Sequence, residues 1–172
     1  QGATVTGSVF GVRRVPVAKN QTMAAYDPRA IKGLGVTYAT STQGADHTAG
    51  QTLRALVEHT KAEGQVAASR NAQISNTMHD CIGTCFFVGG AIKGEVKLLS
   101  DLYTAMCGEV FSPDDFTLIA KETLLREREF NKRAGFTSSD DRLAEFFYKE
   151  KNPVTNTVFD VSQDEMDELF NF

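Results

Sequence analysis

The sequence predicts an all-α fold, an irregular multi-helix orthogonal bundle with a short extended arm at its N-terminus. Apolar residues recur at helical spacing in several segments that begin with capping residues. Strand-like composition is confined to residues 3–17, where β-branched residues are interrupted by glycines and Pro16 removes a backbone donor. We therefore divide the chain into an extended arm or linker, residues 1–24, and a helical region, residues 25–172.

Composition excludes several classes of protein. The 172 residues are 41% hydrophobic with a net charge of −4, and no apolar run approaches the ~20 residues that a membrane-spanning helix needs. Basic residues are scattered, so no nucleic-acid partner is expected. Three cysteines and no signal peptide predict a cytoplasmic protein. The sequence begins without Met inside a Gly/Thr/Val-rich stretch, which predicts a piece of a longer chain.

The helices are predicted from apolar spacing and from capping signals. Asp27 and Pro28 form a turn and helix start, and Ser112, Pro113 and the two acids that follow form the strongest helix start in the chain. Cys107, at the end of one helix, is expected to be a small buried residue. The predicted helices cover residues 51–63, 65–78, 98–106, 113–134, 143–147 and 162–170. Residues 31–41, which follow the helix start at Asp27 and Pro28, contain Gly33 and Gly35, so they are poor for a free helix, and their small residues predict close packing of the backbone.

The segment Asp80-Cys81-Ile82-Gly83-Thr84-Cys85 is the chemical centre of the sequence. Thiolates bind soft metals and iron–sulfur clusters, and a glycine lets the backbone approach a ligand closely. The chain has only three cysteines, whereas a cubane cluster takes four thiolates, so it cannot hold one alone. Two other interpretations stay open, that these cysteines only pack, or that they bind zinc with a histidine (His47, His59 or His79).

A second candidate is the glycine-bounded run of residues 44–50. His47 could donate or accept a proton near neutral pH. From pattern alone the preferred interpretation is structural, a loop between helices in which Asp46 or Thr48 caps the next helix.

Several stretches together resemble the C-terminal part of the tungsten-containing aldehyde ferredoxin oxidoreductase family, in the family's order and over about residues 10–170. They are Ala25-Tyr26-Asp27-Pro28-Arg29, Gly35-Val36-Thr37-Tyr38-Ala39-Thr40-Ser41, Gly44-Ala45-Asp46-His47, Asp80-x-x-Gly83-x-Cys85 and Phe130-Asn131-x-Arg133-x-Gly135-Phe136. The Asp-x-x-Gly-x-Cys pattern alone is weak, but it is specific in combination with the others.

The resemblance implies oxidation of aldehydes to carboxylic acids, with electrons passed from a tungsten (or molybdenum) bis-pterin through a 4Fe-4S cluster to ferredoxin. It implies that Asp80 accepts hydrogen bonds from the amino edge of a pterin and that Gly83 lets the backbone approach the ring. Cys85 is implied as the fourth cluster thiolate, and His47 as a proton-transferring residue near the metal.

The resemblance also implies N-terminal domains of the same enzyme as partners, because the cysteine trio that supplies three cluster ligands and the N-terminal cofactor-cradling domain are absent here. This fragment alone is expected to be inactive and without cofactor. A competing hypothesis is a non-catalytic helical interaction or zinc-binding module. The sequence leaves open which aldehyde is oxidised, whether the metal is tungsten or molybdenum, and whether a homodimer forms.

Overall fold

A computed structural model describes residues 2–92 and 94–172. The prediction of an all-α, multi-helix fold is confirmed, because the only sheet in these ranges is one hairpin of two short strands. None of the helices described combines the length and apolar character that crossing a bilayer requires. The elements are α1 (Gly2–Val9), β1 (Val17–Ala18), β2 (Gln21–Thr22), α2 (Lys32–Thr40), α3 (Gln65–Cys81), α4 (Phe86–Ala91), α5 (Val96–Cys107), α6 (Pro113–Arg133), α7 (Phe146–Lys149) and α8 (Gln163–Asp167).

The prediction of an extended N-terminal arm is wrong for Gly2–Val9, which form α1. The antiparallel hairpin that follows turns through Lys19 and Asn20, which both have positive φ angles, as a two-residue hairpin turn demands. Ala18 is buried in the main core, and the Lys19 ammonium lies 2.6 Å from the Asp141 carboxylate, where both side chains are almost fully buried. Residues 17–22 are therefore fixed to the body of the protein.

The fold is centred on α2, in which all nine residues are buried. It packs against α3 and α8, and it is surrounded by the larger of the two apolar cores found among the described residues. Gly35 permits this packing, because a Cβ at that position would lie 2.6 Å from the Phe159 ring and 2.9 Å from Pro28. The expectation that the small residues of this segment mark a close contact is consistent with this geometry.

The predicted helix over residues 51–63 is absent, and this segment consists of turns and bends. Two of its carbonyl groups instead accept hydrogen bonds from the first residues of α2 and α3. The Lys32 amide, at the start of α2, donates to the His59 carbonyl at 3.0 Å, and the Gln65 side-chain amide donates to the Glu58 carbonyl at 2.9 Å. Helical spacing predicts one apolar face for Leu53, Leu56 and Val57, but Leu56 is fully exposed. The segment therefore caps α2 rather than forming a helix of its own.

The longest helix, α6, starts as predicted. Ser112 accepts a hydrogen bond from the Asp115 amide, and the Asp115 carboxylate accepts one from the Ser112 amide, which together form a capping box around Pro113. Helical spacing predicts that Phe116, Leu124, Leu125 and Phe130 face inward. Phe116 and Leu124 do so, but Leu125 and Phe130 are exposed. Together α3, α5 and α6 enclose the smaller apolar core, built on Met78, Leu99, Phe116 and Ala120.

We predict that Gly35→Ala lowers the free energy of unfolding by about 2 kcal/mol, because the added methyl group overlaps the Phe159 ring in a core that cannot expand freely. Gly90→Ala is the matched control, since its Cβ meets only the far end of the Arg54 side chain. Urea unfolding measures both variants. Equal midpoints for the two would contradict the close packing of α2.

Candidate functional site

The segment from Asp80 to Cys85 forms the C-terminal cap of α3 and the entry to α4. The Thr84 amide donates to the His79 carbonyl at 2.9 Å, and the Gly83 amide donates to the Asp80 carbonyl at 3.1 Å. This pair of bonds is the Schellman motif, whose residue in the left-handed conformation is Gly83, with φ +69°. Helix termination therefore favours a glycine here, independently of any ligand.

Three predicted residues of this segment, Asp80, Gly83 and Cys85, are exposed. Within the described ranges, the Asp80 carboxylate and the Cys85 thiol enter no side-chain hydrogen bond or ion pair. A Cβ on Gly83 would meet nothing within 4 Å. A carboxylate in the last turn of a helix is unfavourably placed relative to the helix dipole, so Asp80 contributes nothing evident to the stability of α3. These groups are accessible for binding a partner group.

His47 lies in a 3-10 turn, His47–Ala49. The expectation that Asp46 acts as a cap is confirmed, because its Oδ1 accepts hydrogen bonds from the Thr48 amide at 2.8 Å and the Thr48 hydroxyl at 2.9 Å. The His47 Nδ1 is 3.6 Å from the same oxygen, which is too far for a hydrogen bond. The imidazole is half-exposed, beside the Tyr26 ring at a centroid distance of 5.6 Å.

The turn that carries His47 is attached to α3. The Asn76 side-chain amide donates to the Thr48 carbonyl at 2.6 Å, so His47 and the Asp80–Cys85 segment are both positioned by the same helix. Between the turn, α3 and α4 lies a cleft of about 580 Å³. His47 lines this cleft, whereas Asp80, Gly83 and Cys85 do not. Its other lining residues include Tyr26, Leu53, Arg54, Asn76, Met78, His79, Phe86 and Phe87.

His79, which the sequence offered as a zinc candidate but favoured as a solvated or core-edge histidine, is a buried residue of this cleft. The residue is 4% exposed, lines the cleft, and places its Nδ1 2.8 Å from the Thr84 hydroxyl. Burial lowers the pKa of His79, and the adjacent Asp80 carboxylate offsets only part of that effect. A usable signal was present in the sequence, because Ala72, Asn76 and His79 have the spacing of one helix face.

The other cysteines differ from expectation. Cys107 is exposed, so its prediction as a small buried residue is wrong. Cys81 is exposed as well, with its sulfur 3.5 Å from the Thr123 hydroxyl. Across residues 2–92 and 94–172, no three His, Cys, Asp or Glu side chains are grouped so that they could hold a metal ion. These residues therefore offer no zinc site of their own.

Comparison with known proteins gives a family match over nearly the whole chain. The family model described as "Aldehyde ferredoxin oxidoreductase, domains 2 & 3" matches residues 7–171. The chain belongs to this family. Among curated relatives, the tungsten-containing aldehyde ferredoxin oxidoreductase of Pyrococcus horikoshii is 28% identical over 144 residues, and that of Pyrococcus furiosus is 26% identical over 144 residues.

These alignments cover 78% of this chain but only 23% and 24% of the two relatives. The chain thus spans about a quarter of the length of the aldehyde ferredoxin oxidoreductases that it matches. The resemblance drawn from the five sequence blocks is confirmed at the level of the family. The assignments of His47, Asp80, Gly83 and Cys85 remain predictions.

We predict that the stability of this chain falls more steeply with acidification than that of a His79→Phe variant. The unfolded chain binds a proton at the ordinary histidine pKa of 6.5, whereas folded His79 binds it only at lower pH. The free energy of unfolding therefore falls as the pH drops from neutral through the ordinary histidine pKa towards the lower pKa of folded His79. Urea midpoints from neutral pH to about pH 5.5 measure the difference. His47→Asn serves as the control, and parallel profiles for wild type and His79→Phe would contradict the prediction.

Proposed function

We propose that this chain supplies part of the cofactor-binding region of an aldehyde:ferredoxin oxidoreductase, and that it is inactive without the remaining domains of that enzyme. The observation that carries the proposal is the exposed set of Asp80, Gly83 and Cys85 on one capped turn, next to the helix that lines the cleft containing His47. The family match and the names of the relatives support the reaction class.

The donor and acceptor groups of this turn suit the implied cofactors. The exposed Asp80 carboxylate offers the acceptor sites that a pterin amino edge requires, since paired N–H donors bind a carboxylate much as arginine does. A Cβ added at Gly83 would meet nothing within 4 Å, so the backbone there is open to the close approach of a ring. The Cys85 thiol is accessible as a thiolate ligand of iron. In this assignment the chain donates a single thiolate, and the other three come from the rest of the enzyme.

When bound, a tungsten or molybdenum bis-pterin would supply the two-electron oxidation of an aldehyde to a carboxylic acid, and a 4Fe-4S cluster would carry the electrons towards ferredoxin. The contribution of this chain is to hold and orient those groups through Asp80, Gly83 and Cys85. His47 contributes a proton acceptor at the cleft surface. Apolar side chains line part of the cleft and suit an aldehyde side chain, namely Leu53, Met78, Phe86 and Phe87.

A second candidate function is a non-catalytic interaction module. It is favoured by one observation, a stripe of exposed apolar side chains along α5 formed by Leu98, Leu102 and Met106. Such a stripe is typical of a protein contact surface, and within the first proposal it suits a neighbouring domain of the same enzyme. Iron content of the cysteine variants separates the two functions, because an interaction module has no need of the Cys85 thiolate.

We predict that Cys85→Ser, in the enzyme that contains this chain, lowers the iron content and blocks electron delivery to ferredoxin. Serine keeps the size of the side chain but removes the soft sulfur ligand. Cys81→Ser and Cys107→Ser are matched controls, because both thiols are also exposed. Iron analysis and ferredoxin reduction are the measurements. Full iron in Cys85→Ser would reject the proposed ligand.

We predict that His47→Asn lowers turnover by about 10²-fold or more, the usual contribution of general acid–base catalysis, while metal content and melting temperature stay near wild type. The imidazole is half-exposed and too far from Asp46 for a hydrogen bond, so its removal leaves no buried group unpaired. Leu53→Ala, which changes the same cleft without touching a proton carrier, is the control and should raise KM instead. A His47→Asn variant with normal turnover would show that the histidine moves no essential proton.

A further inference from the structure

The His79 ring lies between the two ends of the short segment that carries Cys85. On one side its Nδ1 is 2.8 Å from the hydroxyl of Thr84, the residue immediately before Cys85. On the other side its Nε2 abuts Gly89 of α4, where a Cβ would come within 3.0 Å. Both ends of the run from Thr84 to Gly89 are therefore set against one buried imidazole.

The backbone of His79 holds the same segment. Its carbonyl accepts the Thr84 amide at 2.9 Å, so Thr84 is bound to both the main chain and the side chain of His79. This double attachment restricts rotation of the backbone just before Cys85 more than the helix cap alone would. The Ile82 and Val88 side chains pack on the smaller apolar core on either side of Cys85. Among the described residues, the His79 ring supplies the side-chain hydrogen bond to this segment, through Thr84.

His79 also faces the cleft that the proposed function assigns to the aldehyde. Its ring lines the cleft together with His47, Phe86 and Phe87. One buried side chain thus belongs to the wall of the cleft and supports the segment that bears the thiol.

We propose that His79 is a positioning residue, which fixes the Cys85-bearing segment through Thr84 and so connects the wall of the cleft to the proposed cluster ligand. This inference rests on the proposed function, because a positioning role for His79 matters only if Cys85 is a cluster ligand. His79 itself contacts neither iron nor pterin in this assignment. It acts by holding the thiolate at the distance and angle that electron transfer and ligation require.

The first test uses this chain without metal and measures hydrogen exchange at the amides of residues 83–88. Thr84→Val removes the hydroxyl and keeps the volume, and we expect exchange about fivefold faster, the effect of losing one hydrogen bond. Thr84→Ser restores the hydroxyl and should restore slow exchange. Thr123→Val is the matched control, because it removes a threonine hydroxyl beside Cys81 instead.

The second test uses the complete enzyme and measures the electron paramagnetic resonance spectrum of the reduced cluster and its rate of reduction by aldehyde. For Thr84→Val we expect an altered spectrum and reduction about tenfold slower, with iron content and KM near wild type, because the ligand is displaced rather than lost. Thr84→Ser should show the wild-type spectrum. Thr123→Val should be unchanged in both measurements.

Gly89→Ala tests the same support from the opposite side of the ring. The added methyl group must displace the His79 Nε2, so we expect the same change of spectrum as in Thr84→Val. Gly90→Ala, one residue further along α4, meets only the end of the Arg54 side chain and serves as the control.

The outcomes separate this inference from the proposed function. A wild-type spectrum and reduction rate in both Thr84→Val and Gly89→Ala would overturn the positioning assignment, even if hydrogen exchange changed. If Cys85→Ser kept its iron, the proposed function would fail, and the positioning assignment with it. If Cys85→Ser lost iron while Thr84→Val and Gly89→Ala matched wild type, only the assignment of His79 would be rejected.

Discussion

The close approach of α2 to its neighbours is the constraint on which the rest of the structure depends. A helix with all nine residues buried places its polar side chains inside the protein, where an unpaired polar group costs free energy. The buried Lys32 ammonium therefore reaches the Asp160 carboxylate at 2.6 Å, and the Thr37 hydroxyl reaches the Gly50 carbonyl at 2.8 Å. Each of these bonds fixes a segment distant in sequence, so the packing of α2 orders both the loop before α3 and the C-terminal region.

The geometry of the site depends on α3, which packs against α2 along one side and α6 along another. Its N-terminal half is bound to α2 by Ser69 and Gln73 through hydrogen bonds to Thr37 and Thr40. Its C-terminal half carries the cleft face and ends in the capped turn. Because one rigid helix supports both the His47 turn and the Asp80–Cys85 segment, a change in the packing of α3 would move the two parts of the site together.

The sequence blocks shared with the family have structural as well as chemical roles. Asp27 accepts hydrogen bonds from Arg29 and Asn152, and although burial alone would raise the pKa of Asp27, these bonds hold it below its ordinary value. The Arg29 guanidinium in turn packs over the Phe147 ring and ties this turn to α7. This block is explained by folding, whereas the Asp80 carboxylate and Cys85 thiol have no side-chain partner among the described residues.

By itself the sequence determined the helical class, the start of α6, the cap at Asp46 and the family, because each depends on neighbouring residues or on an ordered set of motifs. Only the tertiary structure decided that residues 51–63 form turns rather than a helix, with carbonyl groups that accept hydrogen bonds from Lys32 and Gln65. It alone also decided the burial of His79. Those features depend on partners outside the local segment. Helical spacing records which residues share a face, but long-range hydrogen bonds decide whether that helix forms and what its face contacts.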